Sequence, residues 1–425
     1  MAGLRIQGRA RLGGEITVSG NKNAALPAIA ASLLTDEPVV LHNVPDIRDV
    51  RAMLEIAAAL GAQTDFDHNT VTIKASGLNR AEISREDASK LRTSILFAAP
   101  LLARLGRAKL YPPGGDVIGR RRLDGHFYAL KTMGALLADT PGCYELSAGT
   151  RLRGRELFLD EASVTATEQI MIAAAAAEGV TTLYNAACEP HISDLGELLN
   201  AMGARISGTG TNTIRIEGVD TLHGAEFTLS GDHIEAGSFL ALAAATGSGI
   251  TVRGIQRRHC WMTRRIFERF GIVMELNGDS ASIPEGQSPR VMPDFGGAIP
   301  VIADGPWPQY PSDMMSCTIV MATQAAGTVL FFEKMFESRI YFVDRLISMG
   351  ANAVVCDPHR VVISGRSELH GTELSSPDIR AGMALVIAAM CAHGTSVIHS
   401  CEVIYRGYER LVEKLQAVGG MVETI

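Results

Sequence analysis

The run Tyr111-Pro-Pro-Gly-Gly-Asp-Val-Ile-Gly-Arg-Arg-Arg-Leu-Asp-Gly-His126 gathers the residue types of a reacting site into one short segment. Asp116 lies between Gly115 and Gly119, where glycines free the backbone and allow close approach to a ligand. A carboxyl group carried on such a segment can be delivered to a reacting atom as a proton donor. Arg120, Arg121 and Arg122 follow. Guanidinium groups bind phosphate through paired hydrogen bonds, so the run suits a phosphorylated substrate.

A second set of polar residues stands where apolar helices begin. Lys22 and Asn23 open the first such helix, with Asn23 read as its cap. Arg92 holds the same place in a second helix and Ser163, Val164, Thr165 and Thr167 in a third. Asp232 and Glu235 do so in a fourth, Asp313 in a fifth, and Asp378 and Arg380 in a sixth. A lysine at the positive end of a helix is unfavourable unless an anion is bound there, which points to phosphate or carboxylate recognition. Arg339 and Arg406 fall in turns that match the Asp116 loop. Each residue alone fits an ordinary cap or a surface ion pair; their shared phase points to one cleft lining. Lys22, Arg92, Arg121, Arg339, Arg380 and Arg406 would make that cleft cationic, self-repelling when empty and closed by an anionic substrate.

The elements that must position these residues are six copies of one unit: an apolar helix, a strand, a charged helix ending in glycine, and further strands. The closing glycines are Gly61, Gly134, Gly203, Gly271, Gly350 and Gly419, separated by 73, 69, 68, 79 and 69 residues. Each is a natural left-handed helix stop. The first helix of each unit is apolar nearly all round and must be buried; the second carries one stripe, such as Val50, Met53, Leu54, Ile56 and Leu60. Segments such as TNTIRIEGV and HRVVISG alternate as strands do. Six units divide into two domains of three. Residues 1–20 form two strands that complete the domain of residues 231–425, and residues 21–230 form the other domain. Phe227–His233 leads into the fourth unit as residues 1–20 lead into the first. Two crossings make a hinge, and the active site is expected in the cleft there.

Composition agrees with an α/β protein of two domains: 425 residues, 47% hydrophobic and only 5% aromatic. A net charge of -7 argues against a general nucleic-acid binder. The first 20 residues lack an apolar signal core, and no apolar run is long enough to span a membrane. Seven scattered cysteines without a CxxC pair suit reduced thiols in a cytoplasm. No metal-ligand spacing appears, and His191, His259 and His370 are read as structural or surface residues.

Taken together, SGNKNAALP (19–27), LRTSI (91–95), PGGDVIGRRRLDGH (113–126), ASVTAT (162–167), DHIEAGSF (232–239), YPSDM (310–314), FESR (336–339) and RGYERL (406–411) resemble the enolpyruvyl transferase family, over essentially the whole chain. The resemblance implies two inside-out α/β domains, each of three repeated βαβαββ-like units. It is closest to the members that transfer enolpyruvyl from phosphoenolpyruvate to the 3'-hydroxyl of UDP-N-acetylglucosamine, releasing phosphate, the first committed step of peptidoglycan synthesis in cell-wall biogenesis. It implies no metal, no organic cofactor, no nucleic acid and no obligate protein partner. By resemblance Asp116 is the acid and Asp313 the base near the sugar hydroxyl. Lys22, Arg121 and Arg406 hold phosphoenolpyruvate, with Arg339 and Arg380 alongside. Arg92, Arg121, Arg122, Leu123, Asp124, Gly125, Ser163, Asp313 and Met335 line the UDP-sugar site, and Asn23 touches the sugar.

The chain departs from the family pattern at four places. Many members carry Cys where Asp116 stands, which implies resistance to fosfomycin, an epoxide that alkylates that thiolate. Arg121-Arg-Leu-Asp-Gly125 replaces Arg-Pro-Val-Asp-Leu, Thr165 replaces a glycine and Tyr405 an acidic residue. These leave open an acceptor other than UDP-N-acetylglucosamine, such as UMP, or a catalytically silent paralogue that binds nucleotide-sugars.

Overall fold

A helix with no polar side is stable only when its whole circumference is covered. In the computed structural model, which describes residues 3–115, 118–119 and 122–425, the six apolar segments are α1 (Lys22–Ala31), α2 (Ala98–Leu105), α3 (Val164–Ala175), α4 (His233–Thr246), α5 (Ser312–Thr323) and α6 (Ile379–Cys391). Every residue of α6 is buried, as is every residue of α4 but its last. Helix α2 is shorter and reaches the surface at its end, beyond a 3-10 turn that begins at Arg92.

The chain divides into two compact units, one of Met1–Ser19 and Gly231–Ile425, the other of Gly20–Gly115 and Arg121–Ser230. Ile118 and Gly119 group with the former, although the repeat pattern counts them with the latter. Ile118 is buried, and its carbonyl accepts from the Ser338 N–H at 3.4 Å.

Each repeat builds one sheet over its core helix. In the third, Glu156–Phe158 runs parallel to Val180–Tyr184, which pairs antiparallel with Thr213–Glu217, itself paired with Arg205–Ser207. The fifth repeat follows the same βαβαββ order with its own strands. The second is three-stranded among the described residues, with Glu82 bridging Lys109 where the parallel strand would lie. Strand residues alternate as the sequence predicts: Ile214 and Ile216 are buried, and so are Val361 and Ile363. The stripe of the helix Arg48–Ala59 is buried, and all six closing glycines have positive φ.

Three sheets are completed by strands from elsewhere in the chain. Leu4–Gln7 lies between Thr395–His399 and Met421–Thr424, and Gly13–Thr17 lies parallel to Gly249–Arg253. Ala225–Thr228 lies parallel to Val39–His42. This corrects the reading of Phe227–His233 as a lead-in to the fourth repeat: its strand closes the first repeat's sheet. The strand that precedes α1, Gly13–Thr17, is already paired with Gly249–Arg253, so the parallel neighbour of Val39–His42 comes from further along the chain. No helix among the described residues is long and apolar enough to cross a membrane.

Close approach of strand to helix end recurs. A Cβ on Gly8, Gly218 or Gly365 would lie 2.0, 1.9 or 2.2 Å from the carbonyl oxygen of Ala392, Ala177 or Ala325. Gly218→Ala is therefore expected to cost about 1–3 kcal/mol through overpacking. Gly149→Ala, whose Cβ meets open space, should leave the urea midpoint unchanged. Helix α3 buries a carboxyl group, Glu168, which is 2% exposed. Burial and the neighbouring Glu189 charge raise its carboxyl well above the usual carboxylate range, and the His191 ring stands 3.9 Å away. The folded chain thus holds a proton that the unfolded chain releases, so stability falls as pH rises out of the ordinary glutamate range. Glu168→Gln should be more stable than the natural protein at about pH 8 and lose that advantage toward about pH 4, as denaturant melts would show.

Candidate functional site

The predicted residues fall into two sets, one in each unit. In the Gly231–Ile425 unit, the polar residues of α5 and α6 meet at their first turns. Asp378 caps α6, its side chain accepting from the Arg380 and Ala381 N–H groups. Arg380 is 4% exposed, and its Nη2 lies 2.9 Å from Asp313 Oδ2. Arg339, 5% exposed, comes from a 3-10 turn after the fifth repeat's strand, and its Nη2 donates to Asp313 Oδ1 at 2.9 Å. Burial opposes the charge on both guanidinium groups, and the surrounding acidic groups, Asp313 foremost, together more than offset it. Arg339 Nε and Arg380 Nη1 are buried and have no hydrogen-bond partner among the described residues. These are enclosed cationic donors left unsatisfied beside a carboxylate, of the kind that pairs with an anionic group.

Around this triad stand the expected residues Arg406 and Met335, together with Tyr408, His233 and Trp307, to which the sequence reading assigned no role. The Tyr408 ring lies 5.6 Å from the Arg380 guanidinium, and its hydroxyl bonds Ser238 at 2.8 Å. His233 stands at the start of α4, 5.8 Å ring to ring from His259 and 5.4 Å from Trp307. Burial, with the His259 and Arg380 charges, pushes His233 down to about 3, so the ring is neutral. Arg406 ends the turn Cys401–Arg406, two residues before Tyr408, and is half-buried. Met335 is exposed in the turn before Arg339, and Phe336 lies 4.9 Å under the Arg339 guanidinium.

In the Gly20–Ser230 unit, Lys22 is the first residue of α1. The cap is Asn21, whose side chain accepts from the Asn23 and Ala24 N–H groups; Asn23 lies inside the helix. Asn21 has the extended backbone a cap needs, while Asn23 is already helical. Lys22 is 8% exposed, and its Nζ lies 2.9 Å from Asp49 Oδ2. The anion expected beside Lys22 is thus already supplied by the chain. The same holds for Arg339 and Arg380, so the empty, self-repelling cationic lining expected from sequence is not what these residues form. Desolvating a lone cation costs several kcal/mol, and a paired carboxylate removes most of that cost.

Arg92 Nη2 donates to the Arg122 carbonyl at 2.8 Å, tying the first turn of the second repeat to the 122–125 segment. Arg122 pairs with Asp124 at 2.8 Å. With Leu123, Pro112, Pro113, Phe127 and Tyr144 they line a cavity of about 400 Å³. Gly125 faces Leu159 and Ala166, where a Cβ would make ordinary contact at 3.4 and 3.6 Å. Ser163 caps α3. His126 is buried between Gln169 and Thr165. Gln169 Nε2 donates to the Ile95 carbonyl, so its Oε1 accepts from His126 Nδ1–H, and His126 Nε2 accepts from the Thr165 hydroxyl. Burial pushes His126 down to about 4, consistent with this neutral form. Thr165, a departure from the family pattern, thus has a definite partner behind the cavity wall. Asp116 and Arg121 lie outside the described residues. Among the described residues no group of three His, Cys, Asp or Glu side chains could hold a metal ion.

The family model of EPSP synthase (3-phosphoshikimate 1-carboxyvinyltransferase) matches residues 6–415. The UDP-N-acetylglucosamine 1-carboxyvinyltransferase of Treponema pallidum (strain Nichols) is 51% identical over 420 residues, covering 99% of this chain and 98% of its own. The protein of the same name from Bacteroides thetaiotaomicron is 44% identical over 435 residues, covering all of both chains. Among solved structures, the enolpyruvyl transferase NikO from Streptomyces tendae superposes with a TM-score of 0.88 at 24% identity, over 100% of this chain and 98% of that one. EPSP synthase from Acinetobacter baumannii superposes with a TM-score of 0.76 at 18% identity over the whole of both. The fold is therefore that of the enolpyruvyl transferases, and the chain belongs to the EPSP synthase family.

Proposed function

We propose that the chain transfers the enolpyruvyl group of phosphoenolpyruvate to the 3'-hydroxyl of UDP-N-acetylglucosamine, releasing phosphate and committing the sugar nucleotide to peptidoglycan. The observation that carries this reading is the Asp313 carboxylate held between Arg339 and Arg380, each with an unused buried donor. The relatives of that name, about half identical over nearly their whole length, support the choice of acceptor.

The chemistry is addition followed by elimination. Asp313 accepts the proton of the sugar hydroxyl as its oxygen bonds to C2 of phosphoenolpyruvate, and Asp116 gives a proton to the C3 methylene. Phosphate then leaves C2, and a C3 proton passes to the Asp116 carboxylate, restoring the double bond in the enol ether and the acid. Lys22, Arg121 and Arg406 hold the phosphate and carboxylate of phosphoenolpyruvate, with Arg339 and Arg380 alongside. Arg92, Arg121, Arg122, Leu123, Asp124, Gly125, Ser163 and Met335 hold the UDP-sugar, and Asn23 touches the sugar. The reaction is assigned to the cytoplasm.

Phosphate release from phosphoenolpyruvate is expected with UDP-N-acetylglucosamine and not with UMP. Asp116→Ala should lower the rate by about 100- to 10,000-fold, the usual contribution of a positioned acid. Release with UMP alone would sink the acceptor assignment. Fosfomycin should leave the activity intact, because a carboxylate replaces the thiolate it alkylates. A covalent adduct on Asp116 in the mass spectrum would refute this.

A further inference from the structure

Behind Arg339 lies a pair of carboxyl groups that the reaction above does not use. Val301–Ala303 and Gly327–Phe332 are parallel neighbours, with Ala303 opposite Phe332. The next residues along each strand are Asp304 and Glu333, so they emerge side by side at the same end of the sheet. Both are enclosed, at 0% and 1% exposure. Asp304 Oδ1 accepts from the Lys334 N–H, and Glu333 Oε1 accepts from the Ser312 hydroxyl at 2.7 Å. Asp304 Oδ2 and Glu333 Oε2 are buried and find no donor among the described residues. Two interacting carboxylates, each with an unsatisfied oxygen away from water, would be strongly unfavourable, and one proton shared between them relieves both.

The pair is wired to the site. Ser312, which donates to Glu333, accepts from Arg339 Nη1. Arg339 Nη2 donates to Asp313 Oδ1 at 2.9 Å, and Arg380 Nε donates to Oδ2 at 3.0 Å. We propose that Asp304 and Glu333 share one proton and, through Ser312, position the Arg339 guanidinium that orients the Asp313 carboxylate. They are positioning residues, and the proposal rests on the reading of Asp313 as the base.

With the proton in place the pair carries one negative charge opposite Arg339. Without it a second negative charge stands there and competes with Asp313 for the guanidinium. Burial, the Asp304 hydrogen bond and the Asp304 charge raise Glu333 to about 9, while Arg339 and the Ser312 hydrogen bond oppose the shift. The other charged groups around the pair are few. His359 Nδ1–H donates to the Glu333 carbonyl at 2.7 Å. The Lys334 ammonium and the Arg360 guanidinium lie over the Phe332 ring at 5.5 and 5.7 Å, with Asp357 paired to Arg360. Asp313 and Asp378 act from beyond Arg339.

The test compares Glu333→Gln and Glu333→Ala with the natural protein in phosphate release from about pH 7 to pH 10. Glu333→Gln keeps an acceptor for Ser312 and a donor for Asp304, so near-natural kcat is expected at neutral pH, without the natural protein's alkaline decline. Glu333→Ala should lower kcat by about 10- to 100-fold with little change in KM for either substrate. A Gln profile that overlays the natural one, or an Ala variant with natural kcat, would overturn the proposal. The shared proton is read independently of activity by NMR titration of 13C-labelled carboxyl groups. A carboxyl titrating well above the usual range should be present in the natural protein and absent from Glu333→Gln; its absence from the natural protein also overturns the proposal. An active-site assignment that failed would leave this titration intact, so the two failures are distinguishable.

Discussion

Everything in this fold follows from enclosing helices that have no polar side. A helix buried around its whole circumference most readily carries polar groups at its ends, where backbone N–H groups lack partners. Here those ends are capped by Asn21, Ser163, Asp232 and Asp378, and the charged residues stand in the same turns. The sheets that cover the helices must present a continuous apolar face, which leaves little polar chemistry inside except at helix starts and in the turns beside them. Function is confined to those places by packing before any substrate is considered.

The second constraint is charge in low dielectric. A buried guanidinium or ammonium group pays a desolvation penalty of several kcal/mol, which a well-placed carboxylate beside it offsets. Lys22 has Asp49, Arg339 and Arg380 share Asp313, and Lys414 has Glu235. Such pairs hold their members in fixed geometry, which a reacting site needs. They also leave donors over: Arg339 Nε and Arg380 Nη1 are desolvated already and lack a partner among the described residues. An anion that reaches them meets oriented hydrogen-bond donors instead of reorganising water.

Much of this was legible in the chain itself. The period near 70 residues, the closing glycines, the all-round apolar helices and the alternating strands are local patterns, set by helix and strand periodicity, and the structure repeats them. The motifs around Lys22, Asp116, Asp313, Arg380 and Arg406 were enough to place the chain among the enolpyruvyl transferases. Tertiary structure decided what depends on residues distant in sequence. It pairs Lys22 with Asp49, seats His126 between Thr165 and Gln169, and brings Asp304 beside Glu333 through parallel strand register. It also returns Ala225–Thr228 to the sheet of the first repeat, far from its sequence neighbours. Periodicity reports which side of an element is apolar; it carries no information on which element covers that side. Partner choice is set by packing and register across the whole unit, and only the folded chain contains it.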